Sequence, residues 1–483
     1  MGGTAPPFDK NETEDGASVR TLTELPGPRG VPLLGNVLQL HPKRLHRTLS
    51  RWAHRFGPMY VFRISRQPIL VLADADLINQ LLRDRPEGFR RWRKMEELGK
   101  EIGADGVFIA EGAKWRRERK LAMSALNITH LREFLGRLEQ VTDRLERRWR
   151  RAALAGNVID VQQDLMRYTV DVTSGLAFGN DLNTLEAGDN AIQHHLDKLF
   201  PAVARRQTAL FPYWRYVKLP ADREVDTALV EVRKLIGELI VQTRAKLRAA
   251  PELRERPTNF LEGLIVAQEE GADGGFSDEE ISGNVMTLLL AGEDTTANTL
   301  AWIVHFMIEH PEIKAPLQEE ADRVLGRCEH PWRDYTSAEN MPYVEAVAQE
   351  VMRCKPVAGH LFFEPNEDTQ IGGVRVPKGT PIFVLSGYLG TQEGNFARAA
   401  EFRPQRWLES AGPSHNTKAF LPFGAGPRFC PGRHLAMLEI KMVTGMLCRN
   451  FEVHAAPGLH APGDVYAFTV MPTNIFARLR PRQ

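Results

Sequence analysis

The stretch from Ser277 to Glu309 constrains the fold more than any other part of the chain. Ser277-Asp278-Glu279-Glu280 is a capping box, in which a serine hydroxyl and a glutamate three residues on satisfy each other's free backbone N–H groups. Beyond it, apolar residues fall on every side, so the spacing predicts a buried helix from about 278 to 309. At about 1.5 Å per residue that helix is roughly 48 Å long, enough to cross a whole domain. A strut of this kind has to be wrapped by other helices. With 43% of 483 residues apolar and 25% charged, the chain has the material for a large core. The helix is not a membrane span: its longest apolar run, Val285 to Gly292, falls well short of the roughly 18 residues required.

The rest of the chain agrees with a mainly α fold with a minor β part. Residues 1 to 24 are polar and acidic and read as a flexible tail, leaving 25–483 as one domain without repeats or linkers. Leu25 to Asn36 (LPGPRGVPLLGN) is too rich in Pro and Gly for helix or central strand. Met59–Ile64 and Ile69–Leu72 predict a hairpin turning at Gln67-Pro68. Leu131–Ala155 and Val225–Ala249 read as amphipathic helices, Gly274-Gly275 as a break, and residues 431–449 as a last helix followed by strands.

Lys+Arg 62 against Asp+Glu 61 leaves a net charge of +1, which gives no global case for nucleic acid. Cys328, Cys354, Cys430 and Cys448 are too few and scattered for a disulfide framework, and no CxxC pair suggests zinc. A reducing, cytoplasmic setting is expected.

Two short stretches carry chemistry. Phe423-Gly424-Ala425-Gly426-Pro427-Arg428-Phe429-Cys430-Pro431-Gly432 is a tight loop that delivers Cys430 to the start of the last helix. A helix N-terminus favours a thiolate. Pro431 suits the first helical position, and Gly432 lets a flat ligand approach. A lone cysteine is ordinarily a small buried hydrophobe; the surrounding residues change that reading. In the middle of the long helix, Ala291-Gly292-Glu293-Asp294-Thr295-Thr296 makes a poor core. Ala291 and Thr295 share a face one turn apart, small enough for a planar group to lie there, while threonine can bond a carbonyl four residues back and bend the helix.

The pattern F-x-x-G-x-R-x-C-x-G resembles the haem-binding signature of the haem-thiolate monooxygenases, the cytochrome P-450 superfamily. The long-helix segment is similar to that family's A/G-G-x-D/E-T-T motif. The resemblance implies the P-450 fold, with the long helix lying over haem b and the cysteine-ligand loop before the last helix. It implies Cys430 as the iron ligand, with Phe423, Gly432 and Ala291 against the haem. It makes Thr295 the residue that holds oxygen and Asp294 the proton relay, with Glu293 pointing elsewhere. Glu350-Val351-Met352-Arg353 resembles the family's E-x-x-R helix and Pro404-Gln405-Arg406 its P-x-R, implying a structural triad of Glu350, Arg353 and Arg406. The same acid–base spacing at Glu87/Arg90 and Glu320/Arg323 is expected to be solvated surface pairing. Trp115 and Arg119 resemble the W-x-x-x-R helix, which with Arg428 would hold the haem propionates. Phe363 stands where many relatives carry a propionate-binding arginine, so one propionate needs another holder, with His360 as the candidate.

By the same resemblance the substrate pocket is walled by Val107, Phe108, Leu288, Ala291, Val357, Ala358 and Phe468. That suits an apolar lipid, terpenoid or steroid-like molecule. The expected reaction inserts one atom of O2, with NAD(P)H electrons arriving through a separate ferredoxin or flavodoxin-type partner. The rival readings are a haem-thiolate peroxygenase, isomerase or dehydratase, and a non-catalytic haem-binding protein. Arg116, Arg117, Arg119, Lys120, Arg433 and Lys441 are expected to form a basic docking face for the redox partner. The protein is expected to be a soluble, bacterial-type monomer.

Overall fold

The computed structural model describes residues 19–186, 195, 198–209, 211–271, 275–326, 331–332, 334–408, 415–456, 458 and 461–482. The expected tail up to residue 18, Gly274 of the expected break and Cys328 lie outside the described residues. The described part of the tail is anchored, because Arg20–Thr21 pair in parallel with Val374–Arg375.

The long helix spans Asp278–Glu309, with Ser277 Oγ accepting from Glu280 N at 3.1 Å and Glu280 Oε2 accepting from Ser277 N at 3.0 Å. Other helices begin earlier than their apolar pattern. Ile128–Leu154 starts where Asn127 caps it, accepting from His130 N at 2.8 Å. Pro220–Ala249 starts on a proline, whose missing N–H is no loss in a first turn. Among the described residues, no helix is long and apolar enough to cross a membrane.

Two large apolar clusters meet along the long helix. Its Ile281–Leu290 part packs with Pro220–Ala249, Phe260–Glu269 and one face of the main sheet. Ala297–Met307 packs with Ile128–Leu154, Val161–Phe178, Pro342–Cys354 and Arg433–Asn450. The interval between the clusters is residues 291 to 296, so the poor-core segment is where the two cores part. A third cluster fills the other face of the sheet.

The five-stranded sheet runs Met59–Ile64, Gln67–Leu72, Ile382–Val384, Leu361–Pro365, Phe89–Arg91. Its hairpin turns at Ser65-Arg66, not at Gln67-Pro68: Ser65 takes φ +52° and Pro68 lies in the strand opposite Arg63. Phe89–Arg91 pairs antiparallel with Leu361–Pro365, which sets Arg91 opposite Phe363. Near the C-terminus, Gly463–Ala467 and Thr469–Thr473 form a second hairpin.

Of the two expected surface pairs one forms, with Arg323 Nη2 3.6 Å from Glu320 Oε1 and the arginine exposed, but its acid is not at the surface. Glu320 is buried and accepts from Tyr343 N at 2.9 Å and Val344 N at 2.8 Å. It thereby caps the Pro342–Cys354 helix, whose first N–H groups have no partner within their own helix. Glu87 pairs with Arg116 at 2.8 Å, while Arg90 pairs with Glu96.

Candidate active site

The cysteine loop folds tightly because Gly424 and Gly426 take positive φ, 71° and 68°. A Cβ on Gly426 would also lie 2.3 Å from the Leu82 carbonyl oxygen. The loop closes on itself through Cys430 N donating to Phe423 O at 2.8 Å. Pro431 and Gly432 form a turn and the helix begins at Arg433. Pro431 is therefore not the first helical residue: Gly432, at the N-cap, has non-helical dihedrals. Burial pushes the Cys430 thiol above its ordinary value, while a Gly432 N–H hydrogen bond, Arg119 and Arg433 pull it down. The expected help to a thiolate from the helix start is present and outweighed by burial.

Cys430, Phe423 and Gly432 line a cavity of about 420 Å³ whose walls also hold Ala291, Gly292, Thr295 and Thr296. Ala291 is exposed to it in the middle of an otherwise buried helix. Thr295 Oγ1 donates to Ala291 O at 3.0 Å, and Thr169 Oγ1, from the neighbouring helix Val161–Phe178, donates to Glu293 O at 2.7 Å. Gly292 is required by that neighbour, since a Cβ there would lie 2.1 Å from Thr173 Cγ2.

Asp294 does not join Thr295 in the cavity wall. Its carboxylate is fully buried, accepting from Asn298 Nδ2 at 2.6 Å and from Thr469 Oγ1. Burial raises it to about 6, against the pull of these two hydrogen bonds. Thr469 does line the cavity and so stands between Asp294 and the interior. Nothing in the sequence tied Thr469 to Asp294, 175 residues away. Glu439, on the cysteine helix, also reaches the wall and bonds Thr296; burial raises it to about 8.

Glu350, Arg353 and Arg406 meet as expected and are buried. Glu350 takes Arg353 Nε at 2.9 Å and Nη2 at 2.8 Å, and Arg406 Nε at 3.1 Å. Two further donors were not legible in the motif: Trp407 Nε1 at 2.9 Å and Arg403 N at 2.7 Å. Burial would raise the Glu350 carboxyl, but Arg353 and Arg406 hold it below its ordinary value. Arg353 also donates to Gly390 O at 2.6 Å and Ala399 O at 2.8 Å, and Arg406 to Ala397 O at 2.8 Å. The triad thus pins the segment that leads into the cysteine loop.

Around one side of the cavity stand Arg85, Arg91, Arg119 and Arg428, with Trp115 among them. Arg428 lies 4.6 Å over the Trp115 ring, Arg119 4.6 Å over Phe429, and Arg91 3.7 Å over Phe108. Arg428 donates to Glu111 Oε2 at 2.8 Å and to Ala110 O, but its Nε and Nη1 have no hydrogen-bond partner, nor has Nη2 of Arg119. Val107, Phe108, Leu288, Val357, Ala358 and Phe468 all line the same cavity. Phe468 caps the C-terminal hairpin at φ +76°, and Val470 N donates to Val357 O at 2.8 Å, which ties that hairpin to the loop after the Glu350 helix. His360 lines the cavity beside the rings of His46 and Tyr466.

Half of the cations expected in the basic docking face have acid partners within the chain. Arg116 pairs with Glu87 at 2.8 Å, Arg117 with Glu280 at 2.6 Å and Lys441 with Glu345 at 2.6 Å. Lys441 is itself buried.

A sequence profile described as Cytochrome P450 matches residues 25–473. The mouse (Mus musculus) protein 25-hydroxyvitamin D-1 alpha hydroxylase, mitochondrial, is 30% identical over 468 residues, covering 91% of this chain and 89% of that one. Cyclooctatin synthase of Streptomyces melanosporofaciens is 28% identical, covering 93% and 94%. Cytochrome P450 3A6 of Oryctolagus cuniculus is 27% identical, covering 88% and 85%. With a profile match that takes in Trp115 and Arg119, the long helix, the Glu350 triad and the cysteine loop alike, the chain belongs to the cytochrome P450 family and is a haem-thiolate monooxygenase.

Proposed function

We propose that the enzyme hydroxylates or epoxidises a medium-to-large apolar substrate of the lipid, terpenoid or steroid kind. The observation that carries this reading is that Cys430 shares one apolar-walled cavity with Thr295 and Ala291 of the long helix. The family implies haem, and the residues present fit it. A lone thiol faces the cavity, a helix face of small residues lines the same space, and arginine nitrogens nearby lack partners. Cys430 would ligate the iron, Phe423 and Gly432 would lie beneath the ring, and Trp115, Arg119 and Arg428 would hold the propionates. When bound, thiolate-ligated haem supplies the activation of O2 and the insertion of one oxygen atom.

The chain's own groups do the rest. The apolar walls exclude water and orient the substrate. Thr295 holds its hydroxyl on the Ala291 carbonyl, one turn back, and can exchange that bond for one into the cavity. Asp294, with its carboxyl near 6, is placed to give up and regain protons near neutral pH, handing them on through Thr469. The names of the mouse and Streptomyces relatives, a 25-hydroxyvitamin D hydroxylase and a cyclooctatin synthase, support the lipid or terpenoid class. Electrons would come from a separate ferredoxin or flavodoxin-type protein, in a reducing compartment consistent with Cys354, Cys430 and Cys448 being free.

The test is oxygen and NAD(P)H consumption with surrogate redox partners across an apolar compound library. The reading expects one oxygen atom from labelled O2 in the product. Turnover without O2, or a product carrying no label, would assign the chain to the isomerase or dehydratase chemistry of other haem-thiolate proteins.

A further inference from the structure

We propose that the substrate is an apolar molecule with one neutral hydroxyl end, and that His46, Gln207 and His360 bind that end at the wall of the cavity. The inference deepens the apolar-substrate reading above and rests on it. Three segments far apart in sequence meet here. His46 stands on the Leu45–Phe56 helix, Gln207 on the Leu199–Thr208 helix, and His360 just before the Leu361–Pro365 strand. They gather around Tyr466 of the C-terminal hairpin. The ring centroids of His46, His360 and Tyr466 lie 6.1 to 6.4 Å from one another, and Tyr466 OH donates to Gln207 Oε1 at 3.1 Å. His360 lines the cavity, and Gln207 follows Leu199 and Val203, which also line it, at helical spacing.

Four buried nitrogens in this group have no hydrogen-bond partner: His46 Nδ1, Gln207 Nε2 and both ring nitrogens of His360. His46 is 8% exposed and Gln207 4%, so bulk water does not serve them. A buried polar atom left unsatisfied is destabilising. Four such atoms in one group beside a cavity point to a partner from outside the chain.

The bonds already made define that partner. The Asp464 carboxylate accepts from His46 Nε2 at 2.8 Å and from Arg47 Nε at 2.8 Å, which hold it well below the usual carboxylate range. With the proton on Nε2, the neutral His46 ring leaves Nδ1 as an acceptor. Gln207 spends its carbonyl oxygen on Tyr466, so its free Nε2 is a donor. The His360 imidazole is down at about 3, through burial and the neighbouring His46. Its neutral ring therefore has one nitrogen of each kind. A hydroxyl, donor and acceptor in one group, matches this set. A carboxylate would meet acceptor nitrogens, while the nearest cations, Arg47 and Lys355, are turned on Asp464. A neutral ring is likewise no counterpart for a haem propionate, the role expected of His360 from sequence.

The experiment titrates the holoenzyme with matched ligands and reads dissociation constants from the shift of the haem Soret band. One series is cholestane, cholestanone and cholestanol; the other is dodecane, dodecanoate and dodecanol. In the unaltered protein the alcohol of at least one series should bind about tenfold more tightly than its hydrocarbon, with the ketone between them. This comparison needs no variant. Gln207→Met and His360→Phe keep the bulk and remove hydrogen-bonding groups. Each should weaken the alcohol about threefold to tenfold and leave the hydrocarbon within about twofold. A variant that had lost its fold would lose both ligands. Alcohol and hydrocarbon bound alike by the unaltered protein, or an alcohol unaffected by both variants, overturns the proposal and leaves these nitrogens to buried water. Tightest binding by dodecanoate overturns it in favour of Arg47 and Lys355. Those outcomes leave the apolar-substrate reading standing. That reading fails separately, and takes the proposal with it, when the unaltered protein shifts with no member of either series.

Discussion

Asp294 and Thr295 are neighbours in the chain and part company in the structure. Thr295 lies in the cavity wall; Asp294, about 100° round the helix, is buried against Asn298 and Thr469. Each should show a different phenotype. Thr295→Ala removes the hydroxyl that can turn into the cavity and leaves the haem-facing groups alone. Haem and substrate binding should survive, while product formed per NAD(P)H falls about tenfold or more and hydrogen peroxide rises, the size of effect that losing one positioned proton donor brings. Unaltered coupling would mean that protons take a route that bypasses this residue. Asp294→Asn should flatten the dependence of coupling on pH across the region near 6, where the buried carboxyl titrates. Coupling that still varies there would move the titrating role to another acid. At this scale the sequence was legible where a motif is local, as at Thr295, Cys430 and Glu350. It was not legible for Thr469 or Trp407, whose contacts reach across distant segments and leave no spacing to read.

Elements follow their apolar period but start at their caps. The long helix carries its capping box in sequence and was legible to the residue. The Ile128–Leu154 helix starts behind its Asn127 cap and the Pro220–Ala249 helix on a proline, both ahead of the apolar pattern, so their first turns were missed. The Pro342–Cys354 helix takes its cap from Glu320, whose pairing with Arg323 could be read from spacing while the cap could not, because tertiary capping has no local signature. That helix ends in the triad, whose members are needed together. Arg406→Leu would leave Glu350 with one guanidinium fewer in a buried place, at a cost of about 3–5 kcal/mol. A matching fall in unfolding free energy by denaturant titration, with the Cys430 loop more open to proteolysis, is expected. A loss below about 1 kcal/mol would place Arg406 among surface pairs instead. Because Glu350 sits below its ordinary value, its contribution is complete above about pH 4.3, its unfolded range, and is lost as the pH falls through its folded value.

Across the whole molecule, two apolar cores grip the ends of one helix and separate at its polar middle. That parting gives the cavity its place: the helix segment least able to pack stands where packing stops. Gly292, costly in a helix taken alone, is the residue that lets the Val161–Phe178 helix come close enough to hold this segment still. The mainly α class and the order of the motifs could be read from the chain. The acid partners of Arg116, Arg117 and Lys441 could not, because they lie far away in sequence.

The account turns on Cys430 as the thiolate that faces this cavity. The most direct measurement is the reduced carbon-monoxide difference spectrum of Cys430→Ser beside Cys448→Ser, whose thiol is buried in the core away from the cavity. The account predicts that Cys448→Ser keeps the absorbance characteristic of thiolate ligation and that Cys430→Ser abolishes it. A thiolate-type spectrum that persists in Cys430→Ser would contradict it.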